Sequence, residues 1–266
     1  MVSAAGDLTG MLRPVRAGNA FEETVERLLT VIKLGVVGPG ARFPAERELA
    51  AQLGISRLTL REAIRELHQA GYVESRRGRF GGTFVTYTPP APDAGELRRM
   101  AIEDGDKLTD ALTFRLAVET GAAERLATLL AQAPPPQART KLSKRPPVSG
   151  PPAPPAAGDP REVLLARLTA VKAATPQDYR RLDTLFHLSI AELTGSSLLA
   201  TACADARMRL NDLLNAIPVL RRNIDHTAGQ HTAIVVAILA GEADAARHAV
   251  AEHLEGTAAL LRAFLA

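Results

Sequence analysis

Residues 44–74 read PAERELAAQLGISRLTLREAIRELHQAGYVE, and their spacing decides the fold of the N-terminal part of the chain. Leu49 and Leu53 recur four apart on one helical face. Pro44 suits a helix entry, where its missing N–H has no partner to lose. Gly54 then supplies a stop. Ser56 is a good N-cap, and the helix it opens carries Leu60, Ala63, Ile64 and Leu67 at the i, i+3, i+4, i+7 spacing of a buried stripe. Arg57, Arg61 and Arg65 therefore fall on the exposed side. Two short helices joined through a Gly-containing turn, the second Ser-capped and Arg-rich in its first turns, are what a major-groove reader requires, since a guanidinium bonds guanine bidentately. A basic amphipathic helix taken alone is more often a solvated face with Arg/Glu neighbours such as Glu62 and Glu66, so the flanking sequence decides.

Upstream, FEETVERLLTVIKLG from Phe21 places Val25, Leu28, Leu29 and Ile32 at helical spacing, with Glu22 and Glu23 in a first turn that favours acids and Gly35 as its close. Gly38-Pro39-Gly40 is a turn. Downstream, Gly71-Tyr72-Val73-Glu74-Ser75 and Thr83-Phe84-Val85-Thr86 alternate apolar and polar residues around Arg76-Arg77-Gly78-Arg79-Phe80-Gly81-Gly82, which predicts a hairpin with a basic, Gly-rich tip. Glycine lets such a tip approach a DNA backbone closely, and its arginines add phosphate or minor-groove contacts.

With these residues in view, the stretch Leu34 to Val85 resembles the winged-helix domain of GntR-type bacterial transcription regulators. The likeness is carried by Gly38-Pro39-Gly40, Glu46-Arg47-Glu48-Leu49-Ala50, Ser56-Arg57, Arg61-Glu62-Ala63, Gly71-Tyr72-Val73 and Gly81-Gly82-Thr83-Phe84-Val85. It implies DNA contacts at Arg47, Ser56, Arg57, Thr59, Arg61, Arg77 and Gly78, with Arg57 and Arg61 reading bases and the others positioning the protein. The chain departs from the family at two positions. Ala45 stands where a Ser cap is common, and Leu58 where Thr is common.

The whole chain has 266 residues, 46% of them hydrophobic and 23% charged, which suits a globular protein of two domains. A net charge of +3 is too mild to prove nucleic-acid binding, so any such surface must be local. The opening MVSAAGDLTGMLRP lacks the apolar core of a signal peptide, and no apolar run reaches a membrane span, so a cytoplasmic location without membrane contact is expected. The single Cys203 excludes a disulfide framework and a Cys-rich zinc module, and reads as a small apolar helix residue rather than a redox thiol.

Pro89-Pro90-Ala91-Pro92 ends the first domain as a stiff connector. In LTDALTFRLAVETGAAERLATLL, Leu108, Leu112, Arg115, Leu116 and Glu119 share a stripe, so Arg115 points inward and needs an anion. Two partners stand open: Glu119 one turn on, or a ligand carboxylate met bidentately. Residues 132–160 hold 10 of the 18 prolines and four cations, and are expected to be a disordered insertion. Helical pattern resumes at Glu162. Thr175-Pro176-Gln177-Asp178 opens a helix in which Asp183 and His187 share a face with Phe186 and Ile190, and another runs from Ser197 towards Pro218. His231 lines up with Ile234, Val235 and Ile238, and His253 with Ala246, Val250, Thr257 and Leu260. Each histidine alone is more often a satisfied core residue. Together with Asp183 they suit a borderline divalent metal. His68, His226 and His248 fit no such stripe.

The spacing Asp183-x-x-x-His187, then Gln230-His231 and His253-Leu254, resembles the all-helical FCD ligand-binding domain of the FadR subgroup of GntR regulators. The resemblance implies a divalent metal, commonly zinc or nickel, on Asp183, His187, His231 and His253, with a small carboxylate effector beside Arg115.

The expected fold is mainly α: a flexible tail over 1–20, an N-terminal winged helix-turn-helix domain with a small β-hairpin wing over 21–88, a linker over 89–107, and a C-terminal all-α helical bundle over 108–266 that senses effector and dimerises. The expected protein is not an enzyme but a homodimeric regulator of a double-stranded, inverted-repeat operator. A DNA-binding dimer without ligand sensing is the alternative. A metal hydrolase fused to a DNA-binding domain is a remoter one, because no general base stands recognisably beside the metal ligands.

Overall fold

A computed structural model of the protein describes residues 20–78, 81–88, 105–133, 159–216 and 221–265. The tail expected over 1–20 (all but Ala20), the Pro89–Pro92 connector and most of the Pro-rich stretch 132–160 lie outside these residues.

The N-terminal part contains α1 (Ala20–Lys33), α2 (Glu46–Leu53), α3 (Arg57–Gln69), β1 (Val73–Arg76) and β2 (Gly82–Val85). Helix α1 buries Thr24, Leu28, Val31 and Ile32, a stripe turned slightly from the one its leucine spacing predicts. Gly54, at φ 65°, ends α2 in the left-handed conformation and returns its N–H to Ala50 and Ala51 carbonyls. Ser56 Oγ accepts from the Thr59 N–H at 3.0 Å and opens α3, which buries Leu60, Ala63, Ile64 and Leu67. Pro44 does not sit in the first turn of α2. That helix begins at Glu46 with Ala45 as an N-cap whose side chain makes no cap bond. The reason lies upstream: Phe43 N–H donates to Thr83 O at 2.9 Å and Val85 N–H to Ala41 O at 3.0 Å, so the chain just before Pro44 runs along the hairpin. The hairpin itself is antiparallel, with Val73 opposite Val85 and Arg76 opposite Gly82.

The C-terminal part contains α4 (Gly105–Gln132), α5 (Pro160–Lys172), α6 (Pro176–Leu193), α7 (Ser197–Ala216), α8 (Arg221–Ala240) and α9 (Ala243–Leu265). Helix α4 starts inside the stretch expected as linker, because Gly-Asp-Lys at 105–107 carries no apolar period to announce it. Asp159 caps α5 by accepting the Arg161 N–H at 2.9 Å, and Thr175 caps α6 by accepting the Asp178 N–H at 3.3 Å. Helix α4 is the hub, packing against α6, α7, α8 and α9. Its Ala122, Ala123 and Ala127 are buried and bring neighbouring backbones close, while Phe186, Leu210, Ile234 and Ile238 fill the space between helices. The α8–α9 turn requires glycine twice over. Gly241 has φ 75°, and a Cβ there would meet the Ala131 Cβ of α4 at 2.7 Å.

The two parts touch. Helix α1 packs on α7, and the aliphatic stem of Arg181 lies over Gly35 and Gly38. No helix among the described residues is long and apolar enough to cross a membrane.

The missing cap on α2 gives a simple expectation. Ala45→Ser would complete a Ser-x-x-Glu capping box with Glu48 and stabilise the N-terminal part by about 1 kcal/mol. Urea unfolding checks this as a higher midpoint at unchanged slope.

Candidate metal centre and nucleic-acid interface

Helix α6 carries Asp183 and His187 one turn apart, α8 carries His231 and α9 carries His253. Each lies on its helix's inward face, so packing against α4 brings the four together. One ligand atom from each lies within 4.8 Å of all the others. His187 Nε2 and His253 Nε2 are 3.1 Å apart, His231 Nε2 is 3.4 Å from Asp183 Oδ1, and His187 Nε2 is 3.8 Å from the same oxygen. Two nitrogens bound to one ion at about 2.0–2.1 Å lie about 3 Å apart, so these spacings fit a shared cation.

The outer atoms orient the rings. Glu119 Oε2 sits 2.7 Å from His187 Nδ1, and Gln230 Oε1 lies 3.1 Å from His253 Nδ1. Both oxygens are acceptors, so a hydrogen on each Nδ1 would leave both Nε2 lone pairs facing inward. His231 is 1% exposed, and its Nε2 has no hydrogen-bond partner. A buried imidazole nitrogen without a hydrogen-bond partner, facing two further Nε2 atoms and a carboxylate oxygen, is a donor set that fits a divalent cation. The Phe186 ring, centred 4.4 Å from that of His231, closes the apolar side.

Electrostatics set the protonation states. Burial lowers the pKa of His187 and lowers that of His253 well below the usual imidazole range, with His187 and His231 adding to the effect at His253. Both rings are neutral at pH 7. Burial alone would raise Glu119 and Asp183, but the Arg115 and Arg207 guanidiniums, with hydrogen bonding from His187, hold Glu119 well below the carboxylate range, and the neighbouring imidazoles with Arg207 hold Asp183 well below it too. Arg115 Nε donates to Glu119 Oε1 at 2.8 Å; Arg207 donates to Asp183 Oδ2 at 2.7 Å and to Glu119 Oε1 at 3.5 Å. Glu119 is thus the partner that the burial of Arg115 demands.

Arg207 escaped the sequence reading. Its signal was present, since it stands between Cys203, Leu210 and Leu214 on an apolar stripe just as Arg115 stands among leucines. Gln230 stood in the quoted Gln230-His231 pair, but nothing in the sequence gave it a role. Cys203 is buried and its thiol is pushed up to about 12 by burial, which leaves it inert. His68, His226 and His248 are exposed and lie outside the cluster.

Beside the cluster lies a cavity of about 70 Å3 whose wall includes Arg115, Arg180, Arg207, Asp183 and His253. Asn211, Asn215, Thr227 and Thr257 add polar groups; Leu214, Ile224 and Leu260 add apolar ones, and Leu34 enters from the end of the N-terminal helix.

On the N-terminal part, Arg47, Arg57 and Arg61 are exposed, and Arg61 Nε donates to Glu46 Oε2 at 2.8 Å. That bond orients a guanidinium whose side chain is 54% exposed. Ser56 and Thr59 hydroxyls are 2.9 Å apart at the N-terminus of α3. At the wing, Arg77 is exposed and Gly78 has φ 101° with open space around it. Arg76 is engaged by Glu74 and by the Phe84 face, 4.4 Å from the ring centre. Arg42 reaches the wing by donating to Gly81 O at 3.3 Å, a placement only the tertiary pairing of residues 41–43 creates.

This arrangement has counterparts among known proteins. Residues 21–85 match the family described as bacterial regulatory proteins, gntR family, and residues 155–256 match the FCD domain. The chain belongs to the GntR family. A protein of Escherichia coli (strain K12) named as an L-lactate dehydrogenase operon regulatory protein is 29% identical over 251 residues, 88% of this chain and 83% of that protein. The Mycobacterium gastri transcriptional regulator RmpR is 36% identical over 137 residues, 46% of this chain and 50% of its own length. Among solved structures, E. coli McbR/YncC is 17% identical, with a TM-score of 0.47 over 92% of this chain and 98% of that one, a likeness too low to decide anything. This GntR regulator is therefore a DNA-binding transcription regulator with an FCD domain, and the relatives it matches are regulators, not enzymes.

The lowered imidazoles fix the sign of a pH dependence. The unfolded chain takes up protons near pH about 6.5, while folded His187 and His253 resist them, so stability contributed by the neutral rings is present above that pH and lost as pH falls. Melting of chelator-treated regulator should drop progressively from pH 7 towards pH 5. A flat profile over that window contradicts the burial of neutral rings.

Proposed function

We propose that this regulator is a homodimer of the FadR subgroup that binds an inverted-repeat operator with an affinity set by a small carboxylate held at a divalent metal site. The observation that carries this reading is the burial of three imidazoles and a carboxylate around one point, directly beside an arginine-lined cavity. Asp183, His187, His231 and His253 would hold the metal; their donor types suit a borderline divalent ion, and the family resemblance points to zinc or nickel. Bound there, the ion supplies fixed positive charge and a position for an anionic oxygen.

The charge balance favours an anionic effector. Glu119 and Asp183 are matched by the buried Arg115 and Arg207, so a dication adds uncompensated positive charge where water hardly reaches. A carboxylate restores the balance, with the Arg115 Nη groups as its donors. Size narrows the class. A water needs about 10–15 Å3, so a cavity of about 70 Å3 has room for a small acid of a few carbons. The polar wall of Asn211, Asn215, Thr227 and Thr257 suits a hydroxyl or keto oxygen on that acid. The name of the E. coli relative makes L-lactate the first acid to test.

A route to the DNA is at hand. Leu34 lines the cavity at the end of α1, and Arg181, two residues from Asp183, lies over Gly35 and Gly38. An effector that fits one placement of α1 better than another shifts the spacing of the two recognition helices, and regulation follows from that difference in affinity.

Elemental analysis of protein purified without chelator should find about one metal per chain, and L-lactate or another acid of its size should raise the melting point and change operator affinity at least about five-fold. His231→Ala should abolish both responses while retaining DNA binding. Absence of metal, with no acid response even after zinc or nickel is added, would leave a DNA-binding dimer whose signal enters elsewhere.

At the DNA, Arg57→Ala or Arg61→Ala should weaken the specific site by about 1–3 kcal/mol and relax base preference, whereas Arg77→Ala should weaken all duplexes alike. Anisotropy titrations on specific and random duplexes separate the two. Equal losses for all three variants on both duplexes would remove the base-reading assignment.

A further inference from the structure

The exposed face of α3 holds one residue that folding does not explain. Leu58 is 68% exposed, while the other exposed residues of that helix, Arg57, Arg61, Glu62, Arg65, Glu66, His68 and Gln69, are polar or charged. At 100° per residue Leu58 points almost directly away from the buried stripe of Leu60, Ala63, Ile64 and Leu67, and it shares its face with Arg61 at i+3 and Arg65 at i+7. Among the described residues it packs into neither apolar cluster.

Its place on the helix is fixed. The first turn of α3 is held by the Ser56 cap on the Thr59 N–H and by the bond between the two hydroxyls, and Arg61 on the same face is anchored through Nε to Glu46. Leu58 therefore projects from the N-terminal turn that a recognition helix presents to base edges. A leucine side chain neither donates nor accepts a hydrogen bond. On the major-groove floor the apolar group a base offers is the C5-methyl of thymine.

We propose that Leu58 is a specificity-determining residue that reads a thymine C5-methyl in each half-site, next to the base read by Arg61. The proposal rests on the reading of α3 as the recognition helix. It also gives physical meaning to the departure at this position: where threonine brings a hydroxyl as well as a methyl, leucine removes the hydrogen bond and tightens the demand for an apolar partner.

The test uses the full chain. An operator is first selected from random duplexes, and each thymine in it is then replaced singly by deoxyuridine, which removes the methyl and leaves every hydrogen-bonding edge intact. Wild-type protein should lose about four-fold in affinity at one thymine position per half-site, the effect of one methyl withdrawn from an apolar contact. Leu58→Ala should bind thymine and deoxyuridine equally at that position, with an unchanged melting point because the side chain is solvated in the free protein. Leu58→Thr should keep the fold and accept a wider choice of bases there.

Sequence-specific binding without a methyl effect at any thymine, or a methyl effect that persists in Leu58→Ala, overturns the Leu58 assignment while leaving the recognition helix in place. Equal affinity of the wild type for selected and random duplexes overturns both.

Discussion

Glu119 is the point on which the helical domain turns. A buried carboxylate is tolerated only when cations and hydrogen-bond donors surround it, and this one meets Arg115 from its own helix, Arg207 from α7 and His187 from α6. One side chain thereby ties two helices to the hub. Arg207 extends the chain of charges to Asp183, so the two carboxylates and two guanidiniums form one balanced, water-poor network. Such a network is strict about geometry, because moving any helix leaves a buried charge unmatched.

That strictness positions the cluster of Asp183, His187, His231 and His253. Glu119 lies against the outer nitrogen of His187 and Gln230 against that of His253, so both Nε2 atoms face a common centre with the His231 Nε2 beside them. The network holds neutral imidazoles and ionised carboxylates at neutral pH, the protonation states a borderline metal requires. The same arginines face the cavity, so groups that satisfy the fold are also the groups an incoming anion meets. Structure and proposed sensing share their residues here.

The N-terminal part works on a different principle. Its DNA face is exposed, and its order comes from short local bonds: the Ser56 cap, the Glu46 anchor on Arg61, and the Phe84 and Glu74 contacts that hold Arg76 away from the tip. Surface pairs of this kind contribute little to stability. Their effect is to reduce the rotamers an arginine must give up on reaching DNA.

The sequence alone determined the elements and their faces. Leu60, Ala63, Ile64 and Leu67 on α3, and His231 with Ile234 and Ile238 on α8, are buried because helical periodicity is a local property that the order of residues encodes directly. The hairpin was legible for the same reason, from alternation and glycine. The start of α4 at Gly105 and the long N-terminal reach of α8 from Arg221 were not, because polar turns carry no apolar period and are held helical by what the rest of the helix packs against. Tertiary structure alone decided which stripes meet. Arg207 and Arg115 come from residues far apart in the chain yet share Glu119, residues 41–43 pair with the wing, and Leu34 reaches a cavity built by the other domain. A side chain's face is set within one helical turn, but its partner is set by how helices cross, and no local pattern records that.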